Sequence, residues 1–152
     1  MNRYASLATA FLVFTLGAAA QEKKIDESNL PPAVRTTVQE QSKGASIKGY
    51  AVDREHGKTV YEAEMMLDGH SRDIEVAADG TLNEVEEEVA FASLPAKVQA
   101  ALTAKAGDAK ITKVESLTKH NKLVAYEAAT LKGTKKGEIQ VGPDGGKLAH
   151  EE

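Results

Sequence analysis

The stretch VYEAEMMLDGHSRDIEVAADG at residues 60–80 decides the fold, because residues 124–145, VAYEAATLKGTKKGEIQVGPDG, repeat its plan. Both stretches contain a Tyr-Glu-Ala triplet near their start, continue with Ile and Val on either side of a polar residue, and end with Asp-Gly. The repeat has only two copies, and its period is longer than that of solenoid repeats. This pattern predicts a duplicated supersecondary unit.

The segment before each stretch has the pattern of an amphipathic helix. A proline stands near its start, where the missing N–H would have no partner in any case. Gly44 and Gly107 follow as stop signals, since glycine enters the left-handed conformation without a steric penalty. Apolar residues recur along one side of each segment, so both helices need a surface to pack on. These residues are Leu30, Val34 and Val38 in the first copy and Leu94, Val98 and Leu102 in the second.

Strand-like segments separated by turns follow each helix. We therefore predict an α+β fold of two tandem units, each a helix plus an antiparallel β-meander, over residues 30–93 and 94–150. A unit of about 60 residues is marginally stable alone. The two units are expected to pair their edge strands or share one sheet in a compact body. Hairpin turns that favour positive φ are expected at His56-Gly57, Asp68-Gly69, Asp79-Gly80, His120-Asn121, Gly133 and Asp144-Gly145.

Residues 1–20 have the features of a cleavable secretory signal peptide. A short positive start precedes an apolar stretch, and a run of alanines ends at Ala20. The apolar stretch is shorter than the about 20 residues that span a bilayer. We expect cleavage after Ala20, a periplasmic or secreted location and no membrane attachment of the mature chain. Residues 21–29, rich in charged and polar side chains, are expected to form a flexible leader.

The order of these motifs resembles the PepSY-like family, which is related in shape to the beta-lactamase inhibitory protein. The resemblance covers nearly all of the mature chain, twice, and its motifs are structural. It implies export and a non-catalytic protein-binding role, such as an inhibitor or regulator of an envelope or secreted hydrolase or peptidase. The residues that carry it are Leu30, Pro31, Val34, Gly44, Ile47, Tyr61, Glu62, Ile74, Val76, Asp79 and Gly80, and in the second copy Leu94, Pro95, Val98, Gly107, Ile111, Tyr126, Glu127, Ile139, Val141, Asp144 and Gly145.

The repeated Tyr-Glu pair supplies the candidate binding residues. Because side chains alternate across a strand, Tyr61 is expected to face the helix, while Glu62 and Glu64 lie on the other face of the sheet. Tyr126 and Glu127 are the equivalent candidates in the second copy. No recognisable nucleophile motif surrounds these carboxylates, so we predict that the protein is not an enzyme. We assign no catalytic residue, metal ligand or cofactor.

A metal- or cation-binding envelope protein is the alternative hypothesis. It would use the acidic run Glu84-Val85-Glu86-Glu87-Glu88-Val89 together with histidines in turns. The histidines lack the spacings of known helical and thiolate-containing metal sites, and charge runs are normally solvated. We therefore interpret the run as a solvated strand end and the histidines as solvated turn residues. The four histidines are His56, His70, His120 and His150.

The two halves of the chain differ in charge. Residues 30–93 contain 13 acidic and 6 basic residues, whereas residues 94–152 contain 7 and 10. Opposite charge favours docking of the two halves and can orient a partner across them. The lysines are not interleaved with aromatic residues, so we expect no nucleic-acid partner. The chain has no cysteine, which excludes disulfides and thiolate metal sites. We expect a monomer that binds another envelope or secreted protein.

Overall fold

The computed structural model describes residues 23–55, 57–150 and 152. The predicted signal peptide at residues 1–20 and the predicted turn residue His56 lie outside the described residues. No helix in the described part is long and apolar enough to cross a membrane. The elements are β1 (Lys23–Ile25), α1 (Pro32–Gln41), β2 (Ser46–Glu55), β3 (Lys58–Leu67), β4 (His70–Ala77), β5 (Leu82–Glu88), α2 (Ala96–Ala106), β6 (Lys110–Lys119), β7 (Lys122–Lys132) and β8 (Lys135–Val141), with short 3-10 helices at Glu27–Asn29 and Phe91–Ser93.

All eight strands form one sheet, in which each strand pairs with the strand that follows it in the chain, from β1 to β8. Every pair is antiparallel. The predicted α+β class and the antiparallel meander are confirmed. The sheet is continuous rather than divided into two, because β5 pairs with β4 on one side and with β6 on the other.

Both predicted apolar stripes are buried. Val34, Val98 and Leu102 have no exposed side-chain surface, and α1 packs on β3 and β4 while α2 packs on β6, β7 and β8. The predicted stop at Gly107 is confirmed, since this residue caps α2 with a φ of 57°. The first core cluster contains Leu30, Val34, Val38, Ala63, Met65, Ile74 and Val76, and the second contains Leu94, Val98, Leu102, Val114, Ala128 and Val141.

Both helices lie on the same face of the sheet. Ile74 belongs to the core under α1 and lies opposite Val85, which in turn lies opposite Thr118. Because side chains alternate along β6, Val114 points to the same face as Thr118, and Val114 belongs to the core under α2. We call the other face, which neither helix covers, the open face. Its acidic residues include Glu62, Glu64, Asp73, Glu75, Glu84, Glu86, Glu115 and Glu127.

The hairpin turns follow the predicted residues. Asx-Gly and related pairs were expected to supply positive φ angles between the strands. The structure has positive φ values at Asp68, Gly69, Gly80, His120, Asn121, Gly133 and Gly145.

Two of the turn glycines pack directly against a helix. A Cβ atom placed on Gly80 would lie 3.0 Å from the backbone oxygen of Ala33 at the start of α1. A Cβ atom placed on Gly145 would lie 2.6 Å from the backbone oxygen of Lys97 at the start of α2. Neither position has room for a side chain, so each glycine lets its turn approach the first turn of a helix closely.

The structure differs from the flexible leader predicted for residues 21–29. From Lys23 onward the chain forms β1, which pairs with Tyr50, Ala51 and Val52 of β2. Ile25 packs against the first core cluster. The prediction used only the low apolar content of the segment. Backbone pairing at a sheet edge satisfies the chain's hydrogen-bonding groups without requiring a large apolar side-chain set.

Candidate binding surface

The open face carries carboxylates that lie directly opposite other carboxylates on neighbouring strands. On β3, β4 and β5, one row consists of Glu62, Glu75 and Glu84. The next row consists of Glu64, Asp73 and Glu86. Directly opposite residues have Cβ atoms about 4.5–5.5 Å apart, and like charges in this arrangement destabilise a sheet. The carboxylates of each row therefore repel one another where they are ionised.

The rows continue onto the second half of the sheet. Glu88 lies opposite Glu115, and Glu115 lies opposite Glu127. Glu115 is only 6% exposed and accepts a hydrogen bond of 3.3 Å from the hydroxyl of Ser71. The Glu127 carboxylate accepts a hydrogen bond of 2.6 Å from the side-chain amide of Gln140. These contacts fix the two carboxylates in defined positions on the sheet.

Several of these carboxyl groups hold their protons more strongly than a free side chain does. Burial, helped by the neighbouring Glu84 and Glu115, raises the pKa of Glu86 to about 9. Burial is also the main cause that raises the pKa of Glu75 to about 7 and that of Asp73 to about 6. Glu86 lies opposite Leu117, which is only 1% exposed, so an apolar neighbour helps to exclude water from it.

Three of the carboxylates converge closely. Oxygen atoms of Asp73, Glu86 and Glu115, one from each residue, all lie within 4.8 Å of one another. None of the described histidines belongs to this group, and His56 lies outside the described residues. The alternative hypothesis had combined the acidic run with the turn histidines. The structure instead places Glu86 from that run beside carboxylates from β4 and β6.

The interpretation of the acidic run as a solvated strand end is wrong. Residues 84–88 lie in β5, which is paired on both sides in the middle of the sheet. Glu84 and Glu86 are half-buried on the open face, whereas Glu87 is exposed on the helix side. A charge run in a strand is divided between two faces by the alternation of side chains, so only part of this run is freely solvated.

Two lysines on β6 compensate part of the negative charge. The Nζ atom of Lys113 lies 2.7 Å from a carboxylate oxygen of Glu115. The Nζ atom of Lys119 lies 3.4 Å from Glu84 and 3.5 Å from Glu152. Both lysines therefore pair with carboxylates of the same chain. The bond from Lys119 to Glu84 joins the acidic half to the more basic half across the β5–β6 pair, as the charge partition of the sequence suggested.

The five candidate binding residues fall on two different faces. Glu62, Glu64 and Glu127 lie on the open face, opposite Glu75, Asp73 and Glu115 respectively. The tyrosines next to them point the other way. Tyr61 packs against the first core cluster and Tyr126 against the second, and both are partly buried. The structure thus brings the three glutamates onto one surface and keeps the two tyrosines away from it.

Sequence reasoning missed three central residues of this surface and named Glu86 only as part of the acidic run. Their shared feature is a position on the open face of an inner strand. For β5, the alternation of glutamates at every second position was a usable signal, because it places them on one face. On β4, Asp73 and Glu75 alternate with apolar residues in the same way. On β6, Glu115 is the single acidic residue and gives no such signal, so only strand register places it beside the others. The missed residues are Asp73, Glu75 and Glu115.

Comparison with known proteins identifies the family. The family model described as "Putative beta-lactamase-inhibitor-like, PepSY-like" matches residues 18–68 and 59–141. A BLIP-like protein from Bacteroides fragilis is 21% identical and has a TM-score of 0.58, with 84% of this chain and 91% of that chain covered. A Bacteroides eggerthii protein, described as one of the "putative periplasmic proteins", is 17% identical and has a TM-score of 0.62, with 78% and 85% covered. None of the curated proteins matches the sequence. The family model covers well over half of the chain, so this chain belongs to the PepSY-like, beta-lactamase-inhibitor-like family.

Proposed function

We propose that this chain is an exported, non-catalytic module that binds another envelope or secreted protein through its open face. One observation carries the proposal: both helices pack on the same face, so that no described helix covers the other face of the eight-stranded sheet. Side chains on paired strands are held more rigidly than side chains on loops, which favours recognition of a partner. Glu62, Glu64 and Glu127 from the sequence-based prediction lie on this surface.

Family membership supports a binding role, because the family is described as beta-lactamase-inhibitor-like. The finer proposal is that the partner is a hydrolase or peptidase and that binding inhibits or regulates it. A rigid sheet suits this task. Its side chains lose little conformational entropy on binding, so ordering of the module reduces the affinity only slightly.

Export is the proposed setting for this interaction. The amino-terminal residues have the pattern of a cleavable signal peptide, with a cut after Ala20. The similar protein from Bacteroides eggerthii is described as periplasmic. We propose that the mature protein works in the periplasm or outside the cell as a monomer.

A duplication of one unit is the proposed origin of the fold. The order of one helix followed by three strands occurs twice, as α1 with β2, β3 and β4 and as α2 with β6, β7 and β8. The approaches of Gly80 to Ala33 and of Gly145 to Lys97 support the same proposal, because each brings a turn glycine against the start of a helix.

Site-specific photo-crosslinking in intact cells tests the proposed binding surface. A photoreactive amino acid would replace Glu62 or Glu127 on the open face. The matched controls replace Glu40 on α1 or Lys97 on α2, both of which are exposed. We expect a defined crosslinked partner from the open-face positions and none from the helix positions. Crosslinks from the helix positions alone would contradict the proposal.

Cation binding is the second candidate function, and the convergence of Asp73, Glu86 and Glu115 favours it. Oxygen ligands of this kind suit calcium. The ammonium group of Lys113, which already pairs with Glu115, competes with a metal ion for this position. Calorimetric titration with calcium tests the candidate: heat that is lost in Glu86→Gln but kept in Glu87→Gln supports it. No heat at millimolar calcium removes it.

A further inference from the structure

The chain turns back towards the sheet after β8 ends. Residues 142–152, which we call the strap, begin with a tight reversal in which the backbone N–H of Gly142 donates to the backbone oxygen of Gly146 over 2.8 Å. In the same turn the N–H of Gly145 donates to the oxygen of Gly142. Residue 151 lies outside the described residues, while Glu152 is half-buried. The reversal thus allows the strap to return to the strand that precedes it.

The side chain of Gln140 on β8 binds the backbone of the strap. Its Oε1 atom accepts a hydrogen bond of 2.8 Å from the N–H of Glu152, and its Nε2 atom donates one of 3.4 Å to the backbone oxygen of Glu152. The same Nε2 atom donates to the Glu127 carboxylate over 2.6 Å, which fixes the orientation of the amide. Gln140 is only 8% exposed and lies opposite Glu127 on the open face. The strap therefore docks on the open face through a buried, oriented amide.

Lys119 on β6 binds the side chain of the same strap residue. Its Nζ atom lies 3.5 Å from a carboxylate oxygen of Glu152 and 3.4 Å from one of Glu84. Burial lowers the pKa of Lys119, but these two carboxylates outweigh that effect and raise the pKa, so the ammonium group stays charged. The backbone of Glu152 is thus held from β8, and its side chain is held from β6.

We propose that the strap closes the end of the open face between β6 and β8 in the free protein, and that a partner displaces Glu152 when it binds there. Glu127, one of the proposed binding residues, shares the amide of Gln140 with Glu152, so a partner over Glu127 meets the strap. The net contribution of each hydrogen bond is modest, so contacts with a partner can replace those of the strap. This inference rests on the proposed function, because the strap competes with the partner of the open face.

A peptide with the sequence of residues 147–152, acetylated at its amino terminus, is the probe for closure of the strap. Its binding to the isotope-labelled protein is followed by NMR through the side-chain amide signals of Gln140. The test variant Glu152→Pro lacks both the N–H and the carboxylate that hold the strap, so it leaves the docking site free. The control variant Lys147→Gln changes an exposed residue of the strap that makes neither contact.

We expect the Glu152→Pro variant to bind the peptide with a Kd of about 1 mM or lower, since a short connection holds the strap at an effective concentration in the millimolar range. The wild type and Lys147→Gln should bind at least about fivefold more weakly, because their own strap must open first. A peptide carrying Glu152→Gln should bind the test variant more weakly than the unmodified peptide does, because it lacks the carboxylate for Lys119. Equal affinities of the wild type and Glu152→Pro, or no binding to Glu152→Pro at millimolar peptide, would overturn the proposal.

Photo-crosslinking in intact cells tests the competition between the strap and the partner. The photoreactive amino acid replaces Glu62 on β3, a strand that makes none of the strap contacts described above. The yield of the crosslinked partner should be at least about twofold higher in Glu152→Pro than in the wild type or Lys147→Gln, because the open state no longer competes with a closed one. An unchanged or lower yield would overturn this inference and leave the proposed function intact. Absence of any partner crosslinked from Glu62 or Glu127 would refute the proposed function, and the competition with it.

Discussion

The Nζ atom of Lys113 lies 2.7 Å from a carboxylate oxygen of Glu115, and the two side chains are only 16% and 8% exposed. This pair lies on the open face, next to the carboxylates contributed by β4 and β5. A second lysine–carboxylate pair of nearly the same length, between Lys132 and Asp108, lies on the surface with 67% and 82% of the side chains exposed. The two pairs differ chiefly in burial, so they separate the effect of burial from that of distance.

Lys113→Met should lower the free energy of unfolding by about 1–3 kcal/mol, because it leaves the buried carboxylate of Glu115 without this cation. Lys132→Met is the control and should cost less than about 1 kcal/mol, as exposed ion pairs do. Urea denaturation at neutral pH measures both. An equal loss of unfolding free energy in the two variants would contradict the prediction, because burial would then not increase the contribution of the Lys113–Glu115 pair to stability.

Stability should fall as the pH rises from about 5 to about 9. The folded protein holds a proton on Glu86, whose pKa is raised to about 9 from an ordinary value of 4.5, and the unfolded chain gives this proton up at lower pH. Folding therefore takes up a proton between these two pKa values. The stabilisation is fully present below the ordinary pKa of 4.5 and is lost as the pH rises to the folded-state pKa of about 9. Asp73, at about 6, and Glu75, at about 7, act with the same sign.

Glu86→Gln mimics the protonated carboxyl group, so it should make the protein more stable than the wild type at pH 8. The expected gain is about 1 kcal/mol or more, since one pKa unit corresponds to about 1.4 kcal/mol. At pH 5 the two proteins should be nearly equal. Glu87→Gln, a change to the exposed neighbour on the other face, should show no such difference in urea denaturation. A variant of Glu86 that is less stable than the wild type at pH 8 would contradict the account.

Gly145→Ala should destabilise the fold more than Gly69→Ala does. Both glycines have similar positive φ values, 82° and 87°, so the backbone strain of an alanine is similar. Only at Gly145 would the new Cβ meet a neighbour, the backbone oxygen of Lys97 at 2.6 Å, whereas nothing lies within 4 Å at Gly69. We expect an additional loss of at least about 1 kcal/mol, typical of overpacking. Equal thermal and urea stabilities of the two variants would exclude a tight contact between this turn and α2.

The helices and hairpin turns could be predicted from the sequence because their signals are local. The recurrence of Leu94, Val98 and Leu102 and the Asx-Gly pairs each depend on a few neighbouring residues. Strand β1 was missed because its three residues are ordered by pairing with a distant strand. Glu62 and Glu64 were placed on the correct face by alternation alone.

Alternation places the remaining carboxylates of β4 and β5 on one face of their own strands. Which carboxylates of different strands meet depends on strand register, which no local pattern reveals. Asp73 and Glu115 are separated by a helix and a strand in sequence, yet their carboxylates converge because β4, β5 and β6 are paired in sequence order. The tyrosines were proposed as binding residues because their dipeptide is repeated. The alternation that brings Glu62 and Glu127 to the open face necessarily turns Tyr61 and Tyr126 towards the helices.

Carboxylate footprinting of the complex with the crosslinked partner tests the central claim most directly. Carbodiimide labelling of the free and bound protein, quantified by mass spectrometry, reports the exposure of each acidic side chain. We predict that binding protects Glu62, Glu64 and Glu127 on the open face, while Glu40 and Glu87 on the helix side label equally in both states. Protection of Glu40 and Glu87 with unchanged labelling of the three open-face glutamates would contradict the claim that this face binds the partner.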